Sequence, residues 1–297
     1  MQVFTRIHKE RKFIMKLPLQ VDLSNKVAVV TGAGGVLCGE FAKALAASGA
    51  KVAVFDRTPA NAQKTVDAIT AEGGIAKPYI CNVLDKAGIE KCHQKVLAEL
   101  GPCDILINGA GGNNAKANTD KEYYEKGDIL DEETKSFFDL DEEGVKFVFN
   151  LNFLGTLLTT QVFAKDMSEG RGGNILNVSS MNAYTPLTKI PAYSAAKAGI
   201  SNFTQWLAVH FSKAGIRVNA IAPGFFSTAQ NKNLLWNDDG TPTARTGKIL
   251  AATPMGRMGT PDELIGALLF LVSDEAASFV TGVVLPVDGG FSAYSGV

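Results

Sequence analysis

Three residues stand out for the chemistry their side chains could share. Ser180, Tyr193 thirteen positions on and Lys197 four beyond it all fall within NVSSMNAYTPLTKIPAYSAAKAGI. They supply a hydroxyl donor, a phenol and an ammonium. A phenol gives up its proton at a pH of about 10 in water. A fixed ammonium beside it favours the phenolate and moves that value toward neutrality; a shift of about three units takes roughly 4 kcal/mol of differential interaction. Residues four apart share a helix face, so Lys197 can reach under the Tyr193 ring. A lone Tyr-x-x-x-Lys is common on solvated helix faces, so the rest of the chain must give it weight.

A second group is suited to phosphate. Thr31-Gly32-Ala33-Gly34-Gly35-Val36-Leu37 follows a β-branched run and opens a helical pattern. Glycines such as Gly32 and Gly35 let backbone approach a pyrophosphate, and the helix start at Val36 and Leu37 favours its negative charge. Asp56 ends the next β-branched run, about twenty residues on, where a carboxylate can accept both ribose hydroxyls of an adenosine. It would repel a 2′-phosphate, which favours NAD over NADP. Arg57 works the other way, since a guanidinium could welcome that phosphate; Asp56 carries the greater weight.

These groups must be held by a repeating frame. From Lys26 onward, short apolar runs (KVAVVTG, KVAVFD, IAKPYICN, CDILINGAG, GNILNVSS, IRVNAIAPG, GVVLPVDGG) alternate with amphipathic stretches. The patterns predict helices from about Pro59 to Glu72, Asp85 to Leu100, 141–168, Pro191 to Ala214 and 261–273. Strands alternating with helices imply parallel pairing with right-handed crossovers. The expected fold is therefore α/β: one Rossmann-type, doubly wound domain over 21–297, with about seven parallel strands and helices on both faces. Two stretches break the rhythm, a polar insertion at 113–140 and a segment at 225–256. Long loops are usually functional or disordered, and both follow strand carboxyl ends, where ligands bind in such sheets. The 225–256 segment is read as a substrate loop; for 113–140 a subunit contact or solvated insertion is equally open.

Composition narrows the field. The 297 residues carry a formal net charge of −1, and 46% are hydrophobic, an ordinary globular balance. No basic face points to nucleic acid. Cys38, Cys81, Cys92 and Cys103 show no Cys-x-x-Cys pair or zinc spacing, and reduced thiols fit a cytoplasmic protein. Residues 1–20 are basic without a signal-peptide core; they read as a solvated arm, and Met15 is a possible start. No run approaches the roughly 20 apolar residues of a membrane helix. His210 lies on an apolar face and reads as a core group; His93 sits in a polar helix and His8 in the arm, so no metal site is expected. Trp206 and Phe203 read as core packing, and Phe225 and Phe226 as candidate walls of the site.

With these residues together, the chain resembles the classical short-chain dehydrogenase/reductase family from about Lys26 to the C-terminus. The likeness rests on the Thr-Gly turn, Asn82, Asn108-Gly109-Ala110-Gly111, Asn152, Ser180, Tyr193, Lys197, and Pro223-Gly224 with Thr228, in family order and spacing. It implies hydride transfer between a nicotinamide and a carbonyl or alcohol, with Tyr193 as acid or base and Ser180 donating to the reacting oxygen. It implies that Lys197 lowers the Tyr193 pKa and holds the nicotinamide ribose, and that Asn152 anchors a proton-relay water. Asn150 competes for that role but fits the spacing less well. Asn82 with Val83 would line the adenine site, and Asn108, Gly109, Ala110, Pro223, Gly224 and Thr228 would contact cofactor, Thr228 at the carboxamide. One departure stands out: the pattern TGxxxGxG calls for glycine where Val36 and Cys38 stand.

Within that family, TGAGGVLCGE, the 113–140 insertion, TPMGRMGTPDEL and VLPVDGGFSAYSGV resemble the subgroup of D-mannonate oxidoreductases, also called fructuronate reductases. That likeness implies NADH-dependent, reversible reduction of D-fructuronate. A sugar acid needs cationic or amide partners, for which Asn113, Asn114, Asn182, Lys189 and Arg245 border the expected site; Arg257 reads as a structural brace. The runner-up is a dehydrogenase for another sugar acid such as gluconate, a polyol or a ketone. A non-catalytic nucleotide sensor is more distant, since Tyr193 and Lys197 are both present. The family likeness also implies a homotetramer built on helices 141–168 and 191–214.

Overall fold

The computed structural model describes residues 21–228 and 235–296; the expected N-terminal arm at 1–20 lies outside them. Seven strands form one parallel sheet: β1 Val27–Thr31, β2 Lys51–Asp56, β3 Ile75–Ile80, β4 Ile105–Asn108, β5 Gly173–Val178, β6 Ile216–Pro223 and β7 Val284–Val287. Their order is β3-β2-β1-β4-β5-β6-β7. β1 is fully buried, as a β-branched strand covered on both faces must be. Ala28 and Val30 face a core with Phe41, Val66 and Leu268. Val27 and Val29 face the opposite core with Ile89, Phe163 and Leu207.

The crossovers are helical: α1 Val36–Ala47, α2 Pro59–Ala71 and α3 Lys86–Glu99. Beyond β4 come α4 Glu142–Phe149 and α5 Gly155–Ser168, joined by a π-turn at Asn150–Leu154. α6 is Pro191–His210, α7 is Ala244–Ala251 and α8 is Ile265–Val272. Pro191 opens α6 at a position where its missing N–H costs nothing.

The sheet runs outward in both directions from the β1/β4 junction, so their carboxyl-end turns diverge and leave a crevice. Thr31 ties the two turns together: its Oγ1 accepts from Gly109 N at 3.0 Å and Ala110 N at 3.1 Å. Gly32 has φ +68°, and a Cβ there would lie 3.0 Å from Ala110 Cα.

Some expectations need correction. Glu142–Ser168 is long and apolar enough, on length and composition alone, to cross a membrane; here Val162, Phe163 and Met167 are buried in the domain core. His210 is exposed rather than in the core, its ring stacked 4.6 Å from Trp206, itself 56% exposed. Both lie on the face of α6 turned away from the sheet. His93 is the buried one, its Nε2 2.8 Å from Asp166 Oδ1. All four cysteines are buried and unbridged.

The 113–140 insertion is a folded loop. Asp120 and Lys135 exchange hydrogen bonds, and buried Asp128 pairs with Lys121 at 2.7 Å. The 225–256 segment contains α7, which the sequence pattern did not reveal; Thr243 caps it by accepting from Thr246 N. Residues 229–234 of that segment lie outside the described residues.

Candidate active site

A cleft of about 870 Å³ runs along the carboxyl ends of the strands, walled by the glycine turn at one end and by Ser180, Tyr193 and Lys197 at the other. The end of strand β5 delivers Ser179 and Ser180; the first two turns of α6 deliver Tyr193 and Lys197. The two serines diverge. Ser179 Oγ is bonded to Lys197 O and lies 2.8 Å from Ser201 Oγ, whereas Ser180 lines the cleft with Tyr193, near enough to draw the phenol's pKa down. The thirteen-residue spacing therefore picks out the serine that meets the phenol.

Lys197 Nζ lies 5.7 Å from the Tyr193 ring centroid and donates to Val178 O at 2.8 Å. Its side chain is buried, and burial pushes the ammonium down to about 8. Burial also pushes the Tyr193 phenol above its ordinary value, with Ser180 drawing it part of the way back. The expected lowering of the phenol by Lys197 thus does not govern here. Desolvation, which penalises both charged forms, outweighs an ammonium turned to a backbone carbonyl.

Asn152 sits in the π-turn and is buried, while Asn150 is exposed. Asn152 Nδ2 donates to Gly112 O at 2.7 Å and Val148 O at 2.8 Å. A Cβ on Gly111 would lie 2.6 Å from Asn152 Oδ1 and 3.2 Å from Lys197 Nζ, so both converge on that bare α-carbon. Inserted π-turns commonly mark functional sites. This one lets Gly155 approach Val83, where a Cβ would meet the valine side chain at 2.8 Å.

At the other end, Asp56 accepts from Gly34 N at 3.1 Å and Thr58 N at 2.8 Å, which fixes its carboxylate at the tip of β2. Any side chain at Gly34 would meet that carboxylate at 2.7 Å. Gly32, Gly35, Val36, Leu37, Arg57, Asn82, Val83, Gly109, Ala110, Pro223, Gly224 and Thr228 also line the cleft, as do Phe225 and Phe226. Asn108 does not. Its amide is buried in a network with Thr159, Thr160 and Asn177, tying β4 to β5 and α5, so a role in direct cofactor contact is corrected to one in spacing the strands.

The substrate candidates divide. Lys189 and Arg245 line a neighbouring cavity. Asn113 and Asn182 line neither space: exposed Asn113 bonds Asn118 at 3.0 Å, and Asn182 is buried in the turn after Ser180 with Oδ1 unpartnered. Asn114 caps the next turn by accepting from Lys116 N. Arg257 braces Glu263 through two bonds of 2.7 and 2.6 Å.

Cleft residues to which sequence reasoning gave no place in the site include Gly112, Leu151 and Met258, together with Cys38. The irregular turn was the signal for Cys38. A Cβ on Gly109 would lie 2.2 Å from Cys38 Sγ and 2.9 Å from Thr31 O, so the thiol occupies room that Gly109 leaves. Burial raises that thiol to about 12, which keeps it protonated and inert. Gly109→Ala is expected to cost about 1–3 kcal/mol by overpacking. Cys38→Gly in the same protein should recover part of that loss, read as non-additivity in a thermal-denaturation cycle.

The turn suits a dinucleotide: Gly34 leaves backbone beside a fixed carboxylate, and Gly35 N-caps α1 without a side chain in the way. The family model for short chain dehydrogenases matches residues 26–238. The chain belongs to the short-chain dehydrogenase family. It is accordingly an oxidoreductase of alcohol and carbonyl groups that uses a nicotinamide dinucleotide. A crystal structure from Haemophilus influenzae, named as a candidate D-mannonate oxidoreductase with bound NAD, shares 58% identity at a TM-score of 0.90. The match covers 94% of this chain and 99% of that one. An uncharacterised oxidoreductase of Bacillus subtilis, UxuB, is 52% identical over 95% of this chain and 100% of its own length. A candidate 2-deoxy-D-gluconate 3-dehydrogenase from Agrobacterium tumefaciens with bound NADP is 32% identical at a TM-score of 0.77, covering 94% and 100%.

Proposed function

We propose that this short-chain dehydrogenase interconverts D-fructuronate and D-mannonate with NAD(H). The near-full-length likeness to a candidate D-mannonate oxidoreductase with bound NAD carries the reading. The meeting of Ser180, Tyr193 and Lys197 in one cleft supplies its chemistry.

A bound nicotinamide dinucleotide supplies the hydride and, when oxidised, a positive ring. Tyr193 then gives its phenolic proton to the substrate oxygen during reduction and takes it back during oxidation. Ser180 donates to the same oxygen, stabilising charge as it develops. Lys197 holds the ribose and, with Asn152, passes protons toward solvent. Gly32, Gly35, Val36 and Leu37 take the pyrophosphate, Asp56 the adenosine ribose, and Asn82, Val83, Gly109 and Ala110 the adenine side. Pro223, Gly224 and Thr228 would contact the cofactor, Thr228 at its carboxamide.

Steady-state rates with NADH and a panel of keto-sugar acids test the substrate; no turnover of D-fructuronate excludes it in favour of another sugar acid. NAD is preferred because the Asp56 carboxylate opposes a 2′-phosphate, and like charges held together cost several kcal/mol. Asp56→Asn is expected to shrink the NADH over NADPH preference in kcat/KM by roughly tenfold or more. The assembly belonging to this reading is a homotetramer. Phe149, Leu154, Trp206 and Val209 are exposed apolar side chains on α4, the π-turn and α6 that support it, and light scattering measures it.

A further inference from the structure

Beside the cofactor cleft lies a second cavity of about 560 Å³ that shares Phe225 with it. Besides Phe225 and Phe291, its walls come from the insertion at Thr119 and Glu122, the run 187–190 leading into α6, and α7 with Arg245 and Lys248. Three cations (Lys189, Arg245, Lys248) face one carboxylate (Glu122), a net charge of plus two. Lys248 is spent on Glu122, at 2.8 and 3.0 Å. Lys189 adds to the field on that carboxylate. Neither Lys189 nor Arg245 has an ion pair or side-chain hydrogen bond among the described residues.

The position of Lys189 is built rather than incidental. Its φ is +70°, a left-handed conformation that costs a non-glycine residue roughly 1–2 kcal/mol and persists where the surroundings dictate it. The insertion does so here, Thr119 N donating to Lys189 O at 3.0 Å. Pro191 opens α6 two residues on, and Tyr193 lies four residues on. A substrate whose carbonyl meets Tyr193 and Ser180 can therefore extend past Phe225 toward two unpaired cations.

We propose that this cavity receives the carboxylate of the substrate, with Lys189 and Arg245 as the residues that select an acid over a neutral sugar. The proposal rests on the sugar-acid reading above. It also accounts for the 113–140 insertion, whose Glu122–Lys248 and Thr119–Lys189 contacts hold both cationic walls. Both cations are exposed, so water and salt screen them. They act on ground state and transition state alike, which raises KM when lost and leaves kcat in place.

The test uses the full-length protein with Lys189→Met, Arg245→Met and the double substitution. Each of several keto-sugar acids, D-fructuronate among them, is paired with the analogue whose carboxylate is reduced to a hydroxymethyl group. Each single substitution is expected to raise KM for the acids roughly tenfold and to leave KM for the neutral analogues and NADH affinity unchanged. Arg245→Lys, which keeps the charge, should retain most of the preference for acids. Thermal stabilisation of the NAD-bound protein by D-mannonate but not mannitol, lost in the double variant, reads the same selectivity without turnover. Equal changes for acid and neutral partners, or none for either, overturn the proposal even if D-fructuronate is turned over. Acid-selective losses with another sugar acid, in a protein that ignores D-fructuronate, uphold the cavity and overturn the substrate reading instead.

Discussion

Tyr193→Phe is expected to lower the rate of hydride transfer by about 10²- to 10⁴-fold while NADH binding stays nearly intact. The substitution removes one oxygen. The ring that remains keeps its packing against the small apolar cluster of Ala117, Val148, Ala192 and Ala196, so the cleft should hold its shape. What disappears is the phenolic hydroxyl beside Ser180, which in the proposed mechanism donates a proton to a carbonyl oxygen in the direction of reduction. Single-turnover NADH oxidation, run beside a fluorescence titration of NADH, separates chemistry from binding. Unchanged single-turnover rates would falsify the mechanism, whatever the substrate proves to be.

Lys197→Met should be costly to activity and favourable to stability. In the proposed mechanism the ammonium holds the ribose and passes protons, so its loss is expected to lower kcat about a hundredfold, on the scale of removing one preorganised donor. The stability effect follows from burial. Lys197 titrates at about 8 in the fold, against an ordinary value of 10.5. Below pH 8 it is charged in both folded and unfolded chains, and the full desolvation penalty is present. Between pH 8 and 10.5 the unfolded chain binds more protons, so stability rises with pH as the folded amine gives up its charge. The span corresponds to about 3 kcal/mol. Methionine fills similar volume without charge. At pH 7 the variant is therefore expected to be at least as stable as the parent, offset only by the lost bond to Val178 O, and its advantage should fade toward pH 10. Denaturant melts at pH 7 and 9.5 measure both halves; a variant less stable at pH 7 would mean that the buried ammonium stabilises the fold. Activity and stability opposed at one residue is the pattern of a site kept for function.

The frame was legible because it depends on period and punctuation. Apolar runs such as VAVVT and ILIN are buried on both faces, and a strand so placed has to read as continuously apolar; Pro191 marks a helix start by local chemistry. Less was legible where two segments meet. α7 was hidden because ARTGKILA is short and mixes polar with apolar residues around a glycine, with Thr246 and Ile249 its buried positions. The face of α6 bearing Trp206 and His210 reads as apolar in sequence, yet the domain core lies on the other side of that helix. Asn108 falls in a familiar motif, but alternation along β4 turns its side chain inward toward Asn177 and Thr160 while Gly109 faces the cleft.

The parallel α/β sheet, the glycine turn with Asp56 at one strand edge, and the Ser180, Tyr193 and Lys197 set were all written in the order of residues, because each rests on short-range spacing. Three features waited for the folded molecule: Cys38 fitting the space beside Gly109, Lys189 and Arg245 facing one cavity while Asn113 and Asn182 do not, and burial outweighing the ammonium in setting the phenol. Those are matters of distance and desolvation between segments far apart along the chain, and they acquire values once the sheet brings the segments together.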